Sequence, residues 1–278
     1  MQLTAKPDSD RFQGGADKYA AYLETPEGRL RCGLAFANLQ DFLVLPQSRR
    51  SLRGLDLGCG TGATAVRLAR LGIHMTLLDS SSAMLGIAKR AAREAGVDGR
   101  IVLNHGDAAQ VANLFPAGSF DVVLCHNILE YVDDPNPVLS AAATVLQNDS
   151  TGILSILVRN WAGEVFKAGV KAGDLGEAER NLTTMRGNES LFCGRVRLFT
   201  LDSLQVMTKG ASLAVAAERG VRVISDYLPP QISRHEEYER IFELERKLGS
   251  RPEFAAVARY IQAIARHSCA SSSKETGP

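Results

Sequence analysis

Apolar and polar positions repeat along this chain with two periods that take turns. Leu52–Leu57, His74–Leu78, Ile101–Asn104, Phe120–His126 and Gly152–Val158 are short runs rich in Leu, Val and Ile, the pattern of strands buried on both faces. Between them the apolar residues fall three and four apart. Gly62–Leu71 carries Ala65, Leu68 and Ala69 on one face, Ser81–Ala95 has Ser80 or Ser81 as N-cap and Gly96 as stop, and Pro137–Leu146 is started by an Asp-Pro-Asn-Pro turn. Such alternation predicts an α/β fold, a Rossmann-like doubly wound sheet with helices on both faces.

The beat stops after Arg159. Residues 160–200 are Gly- and Asn-rich, too long for an ordinary connection, and predict a cover over a site or a helical insertion after the fifth strand, bounded at about 212. A sixth strand is expected within Ala214–Tyr227, around GVRVISDYL. An amphipathic helix should run from Arg234 to Leu248, and Ala256–Arg266 should close a seven-stranded sheet, although its period also suits a helix. Residues 1–12 and 269–278 are expected to be disordered tails around a single domain, 13–268.

Composition adds mainly exclusions. Lys plus Arg number 32 against 31 Asp plus Glu, so bulk charge does not grip nucleic acid, and only a local basic patch could. No apolar run approaches the roughly 18 residues that cross a bilayer, and MQLTAKPDSDRFQGG lacks the apolar centre of a secretory signal. Five scattered cysteines without a CxxC pair disfavour structural zinc and a disulfide scaffold, and no metal site is expected. A cytoplasmic enzyme is the resulting expectation, monomer or homodimer, with no membrane partner.

The chemistry concentrates in Leu55-Asp56-Leu57-Gly58-Cys59-Gly60-Thr61-Gly62 at a strand-to-helix junction, where glycines let a ligand lie against the backbone. Its G-x-G-x-G spacing is not the G-x-G-x-x-G of nicotinamide enzymes, and no P-loop is present. Asp79 follows at the end of the next strand, where a carboxylate can accept from both ribose hydroxyls. Gly106-Asp107-Ala108 ends the third strand and His126-Asn127 the fourth, so consecutive strands present polar residues at the edge where open α/β sheets bind ligands.

LDLGCGTG, LLDSSSAML, HGDA and FDVVLCHNILEYVDDP, in this order, resemble the successive motifs of class I S-adenosylmethionine-dependent methyltransferases. The resemblance implies that the loop of Gly58, Cys59, Gly60 and Gly62 holds the methionine part of S-adenosyl-L-methionine, with Asp56 near its ammonium. It further implies that Asp79, beside Ser80, holds the ribose and that Met84 packs on the adenine. Gly106, Asp107 and Ala108 would lie near the exocyclic amine, with His126 and Asn127 under the sulfonium and the acceptor. DKYAAYLETPEGRLR, GVRVISDYLP and RYIQAIAR are similar to the bacterial family that esterifies 5-carboxymethoxyuridine at the wobble position of tRNA. That similarity implies that Arg31 clamps the cofactor carboxylate, since a guanidinium fork matches a carboxylate.

Methyl transfer by in-line displacement to an oxygen, carboxylate or hydroxyl, is therefore expected, on tRNA or on a small molecule. A carboxylate acceptor needs an arginine or tyrosine to hold it, with Arg159, Tyr22, Tyr131 and Tyr227 as candidates. A hydroxyl or amine acceptor needs a base, for which His126 is the first choice, unless it is a buried histidine bonded within the fold. Trp161 stacks on a flat substrate or plugs the insertion. The stretch 160–212, with the N-terminal helix, is expected to be a lid over the acceptor site or a dimer contact.

Overall fold

The computed structural model describes residues 8–44, 50–149, 151–192 and 194–268. Helices α1 (Asp8–Glu24) and α2 (Pro26–Gln40) precede the sheet, and Thr25 caps α2 by accepting from the Gly28 amide. Strands and helices then alternate: β1 (Arg53–Leu57), α3 (Ala63–Arg70), β2 (His74–Asp79), α4 (Ser82–Glu94), β3 (Ile101–His105), α5 (Val111–Leu114), β4 (Val122–His126), α6 (Pro135–Val145) and β5 (Ile153–Arg159). Ser81, not Ser80, caps α4, and Asp134 caps α6 with Pro135 at its first position. The stretch beyond holds α7 (Trp161–Phe166), a π turn over Lys167–Lys171, α8 (Leu175–Leu182), an antiparallel ribbon of β6 (Arg186–Glu189) and β7 (Gly194–Arg197), and α9 (Leu201–Gly210). Strand β8 (Leu213–Val221), α10 (Tyr238–Gly249), α11 (Pro252–Ala255) and β9 (Tyr260–His267) complete the chain.

The main sheet has seven strands in the order β3-β2-β1-β4-β5-β9-β8. The first five are parallel, and β9 runs antiparallel to both β5 and β8. The doubly wound expectation holds. Alternate residues feed two cores: Leu55, Leu57, Val123 and Cys125 pack with Val138, Leu139, Ala142 and Leu204 on one face, while Leu77, Leu124, Ala65, Leu68 and Ala88 pack on the other. Parallel strands end their carboxyl termini at one edge, and an antiparallel β9 brings its first residue there too. Arg159 pairs with Tyr260, and Tyr260 with Val221, so the ends of β5, β9 and β8 form one row.

Five expectations are corrected or sharpened. Helix α1 starts at Asp8, inside the stretch expected to be disordered, while residues 1–7 and 269–278 lie outside the described residues. Residues 160–200 hold two helices and a π turn, as a helical insertion would, but add a ribbon that was not expected. GVRVISDYL is only the end of β8 and the turns after it: the amides of Val223, Ile224 and Ser225 leave the ladder to donate to the buried Glu245 carboxylate at 2.5, 3.0 and 2.7 Å. The helix expected from Arg234 begins at Tyr238, because the Arg234 guanidinium ties back to the Ser225 and Leu228 carbonyls. Ala256–Arg266 is a strand only from Tyr260.

Candidate active site

The Asp56–Gly62 segment turns sharply as it leaves β1, and Gly58, Gly60 and Gly62 all have positive φ. At Gly60, φ is +53°, and a Cβ would come within 3.3 Å of the Tyr19 ring. Its amide donates to Asp79 Oδ2 at 2.8 Å, and the other carboxylate oxygen accepts from Ser81 N at 2.8 Å. Asp79 thus sets the loop against α4 and keeps lone pairs for further donors. Burial outweighs both amide bonds and raises its pKa. Gly62 serves packing instead. It stands at the start of α3, where a Cβ would meet Leu77 and Ala88 at 3.0 and 3.2 Å, and it does not line the cavity.

A cavity of about 900 Å³ opens above this edge. Among the residues singled out from the sequence, Tyr22, Arg31, Gly58, Gly60, Asp79, Ser80, Met84, Gly106, Asp107, Ala108, His126, Asn127, Tyr131 and Arg159 line it. Asp56 and Cys59 line a small adjoining cavity that shares Gly58, Arg31 and His126 with the large one. Burial, with the Asp79 charge second, pushes Asp56 up to about 8. Asp107 also caps the turn after β3 by accepting from Ala109 N at 2.9 Å. Tyr227 does not line the cavity. Trp161 plugs the insertion, its indole N–H donating to Asn181 O at 2.8 Å.

His126 faces the cavity as expected, but its environment speaks against a base. Its Nε2 is 2.8 Å from Ser155 Oγ, which also accepts from Gln262 Nε2 at 3.0 Å. Burial, and then the Arg31 charge, lower its pKa to about 3. A neutral, engaged imidazole of that basicity takes a proton poorly near neutral pH.

The far end of the cavity holds residues that the sequence reading did not select. Arg222 NH1 donates to Tyr22 Oη at 3.0 Å, and Arg222 is ion-paired to the buried Asp226. Arg259 and Arg159 share Glu164 at 2.9 and 3.0 Å. Tyr260 sits among the guanidinium groups of Arg31, Arg222 and Arg259, each about 5.8–5.9 Å from its ring centre. Burial alone would raise the Tyr260 pKa, but Arg31, Arg222, Arg159 and Arg259 together reverse that and bring it to about 8. Arg222 Nε and Arg259 NH1 are buried without a hydrogen-bond partner. Their signal lay in GVRVISDYL and RYIQAIAR, which the sequence reading used only as strands and as points of resemblance.

The cavity is therefore bipolar, with carboxylates and a glycine cradle at one end and arginines and tyrosines at the other. The cradle suits S-adenosylmethionine: a Cβ at Gly60 would crowd the loop, Asp79 is a buried acceptor, and Met84 is a buried apolar wall. Arg31 donates to Tyr19 Oη at 2.7 Å and lies against the Tyr22 ring, which places its fork between the two ends.

Comparison with known proteins bears on the family and the fold. Residues 55–154 match the family model described as a methyltransferase domain. An S-adenosylmethionine-dependent methyltransferase of Thermotoga maritima superposes with a TM-score of 0.60 at 16% identity, covering 93% of this chain and 99% of that one. The Burkholderia thailandensis 1,6-didemethyltoxoflavin-N1-methyltransferase, solved with S-adenosylhomocysteine bound, gives 0.54 at 16% identity over 96% and 93%. The tRNA 5-carboxymethoxyuridine methyltransferase of Escherichia coli K12 is 30% identical over 258 residues, 92% of this chain and 95% of that protein. Identity of that extent over nearly the whole of both chains means that the chain belongs to the class I S-adenosylmethionine-dependent methyltransferases, with S-adenosylmethionine as its cofactor.

Proposed function

We propose that this enzyme methylates a carboxylate oxygen, and that the acceptor is a carboxyl-bearing wobble uridine of tRNA. The observation that carries the reading is the convergence at one cavity end of Tyr22 and Arg31 from α1 and α2, Arg222 from the end of β8, and Arg259 and Tyr260 from the start of β9. These are the three segments similar to the tRNA-esterifying family. Four guanidinium groups against the paired Glu164 and Asp226 leave a net positive lining that suits an anionic acceptor. When bound, S-adenosylmethionine would supply a methyl group already activated on sulfur, and a carboxylate oxygen would bond to that methyl carbon in line as the carbon–sulfur bond breaks and sulfur keeps the bonding pair.

No proton moves in that exchange, so a neutral His126 is compatible with it. The residues' task is to hold the acid and exclude water. In this reading Arg222 and the Tyr260 hydroxyl grip the acceptor carboxylate. Tyr22, whose own pKa is pushed up to about 12 by burial, stays protonated as a donor. Arg159, its backbone amide fixed by Glu130 Oε1 at 2.9 Å, closes the far wall, and Asn127 is fixed by the same oxygen at 2.9 Å. A hydroxyl acceptor fits less well, because it needs a base that His126 does not supply. The test is turnover: carboxyl-bearing tRNA and the matching free nucleoside should both gain a methyl ester, and their amide analogues should not.

Asp56 gives the cofactor end a pH signature. With a pKa of about 8 in the free protein, its carboxyl is mostly protonated at neutral pH. An ammonium beside it needs the carboxylate, so binding should release a proton. Affinity for S-adenosylhomocysteine is then expected to rise with pH up to about 8, by at most about tenfold per unit. Calorimetry in buffers of different ionisation enthalpy should detect the proton, and Asp56→Asn should abolish both effects. A pH-independent affinity in the parent enzyme would place the ammonium elsewhere.

The segment 160–200 and α1 are read as the cover that opens to admit ligands. Phe192 from the ribbon connection meets Phe12 and Tyr19 of α1 at 4.9 and 5.6 Å between ring centres, and Gln13 latches α1 to the start of α4 through Ala83 N at 2.8 Å. Hydrogen exchange in this cover should be faster than in the sheet and slow when S-adenosylhomocysteine and acceptor are both present. Uniform protection without ligands would make it a fixed wall.

A further inference from the structure

The ribbon β6–β7 carries charge that the cavity does not use. Its inner residues Gly187, Glu189 and Val196 are buried, while Arg186, Asn188 and Arg195 are exposed on the other face. Register sets Arg186 directly opposite Arg197, and Asn188 opposite Arg195. Like charges facing each other across an antiparallel pair destabilise it. Arg197 is tied down, its guanidinium donating to the Asp133 carbonyl at 2.7 Å, beside the acidic rim residues Asp133 and Asp134. The side chains of Arg186 and Arg195 have no hydrogen bond or ion pair among the described residues.

The ribbon's connection is braced by its own strand. Both oxygens of the buried Glu189 hold its connection, accepting from Leu191 N at 2.9 Å and Phe192 N at 2.6 Å, and Glu189–Phe192 line the cavity. Arg186 lies three residues back from Glu189, about 10 Å along the strand. A polyanion whose one residue enters the cavity would therefore run along this face.

We propose that the outer face of the ribbon, through Arg186 and Arg195, binds backbone phosphates of the RNA strand whose modified nucleotide occupies the cavity. This rests on the RNA acceptor reading above. It also accounts for how a chain of net charge +1 would hold RNA, by two arginines without side-chain partners among the described residues, on the strand that leads into the cavity lining, instead of by bulk charge.

The test is fluorescence anisotropy of a labelled, unmodified anticodon stem–loop RNA bound to the full enzyme, over a salt series, with S-adenosylhomocysteine affinity measured in parallel. Arg186→Ser with Arg195→Ser should weaken RNA binding about tenfold or more and lower the salt slope by about one per arginine removed. Arg186→Lys with Arg195→Lys should largely restore both, and S-adenosylhomocysteine should bind all forms alike. Unchanged RNA affinity and slope in the serine variant would overturn the proposal, as would equal loss in the lysine variant. The readout needs no turnover. RNA bound through these arginines but never methylated would sink the acceptor reading and leave the ribbon as an RNA-binding face.

Discussion

Gly60→Val is expected to abolish measurable S-adenosylhomocysteine binding while the protein stays folded. Two independent effects act on the same few atoms. Gly60 has φ of +53°, which a β-branched residue adopts only with strain, and even the first added carbon would come 3.3 Å from the Tyr19 ring. Either Tyr19 moves, loosening its hydroxyl from Arg31, or the loop turns and its amide leaves Asp79. Asp79→Ala provides a graded companion. It removes the acceptor of two amides and, in the proposed cofactor pose, of the ribose hydroxyls, and should weaken binding by about 1.5–3 kcal/mol, the scale of a hydrogen bond to a charged group. Calorimetric titration with circular dichroism as a folding control measures both. Wild-type affinity in the two variants together would remove the cradle from the cofactor site.

The second large effect belongs to the acceptor end. Arg222→Lys keeps a charge beside Asp226 but loses the planar fork that also reaches Tyr22. Acceptor kcat/KM should fall by about 100-fold, on the order of 2.7 kcal/mol, with S-adenosylhomocysteine affinity unchanged. Arg222→Ala is less informative. It leaves Asp226 buried with only Lys171 and Arg259, at 3.8 and 3.9 Å, and breaking such a pair costs about 3–5 kcal/mol of stability. Tyr260 adds a pH limb. In the proposed pose the phenol would donate to the acceptor below its pKa of about 8, and above it the phenolate would repel a carboxylate. Activity should fall as pH rises through about 8, and Tyr260→Phe should be slower throughout but free of that fall. An Arg222→Lys enzyme with parent kinetics, or an unchanged alkaline limb in Tyr260→Phe, would move the acceptor out of this end.

The cofactor end was legible in the sequence because its parts are local. Gly58–Gly62, Asp79, Asp107 and His126 each sit at the end of a parallel strand, and parallel strands that follow one another must bring those ends to one edge. The acceptor end depends on pairing between distant segments. Tyr260 reaches Arg159 only because β9 is antiparallel to β5, and Arg222 joins them only because β8 ends opposite Tyr260. No spacing along the chain encodes that register. Local chemistry misled in two places. Gly62 belongs to the glycine pattern but packs against Leu77 and Ala88, and His126 has the position of a base but is engaged by Ser155 and held neutral by partial burial and the Arg31 charge. The length of 160–200 left a cover and a helical insertion both open and gave no element bounds; Asn160 caps α7, Asp174 caps α8 and Glu189 folds the ribbon connection, so short-range capping orders what lacks a long period.

One measurement bears most directly on the central claim. tRNA containing 5-carboxymethoxyuridine is incubated with the enzyme and S-adenosylmethionine, digested to nucleosides, and analysed by mass spectrometry before and after mild alkali. Carboxylate methylation predicts one added methyl on that uridine, removed by alkali as an ester must be. A methyl group that survives alkali, or one found on another nucleoside, would contradict the account.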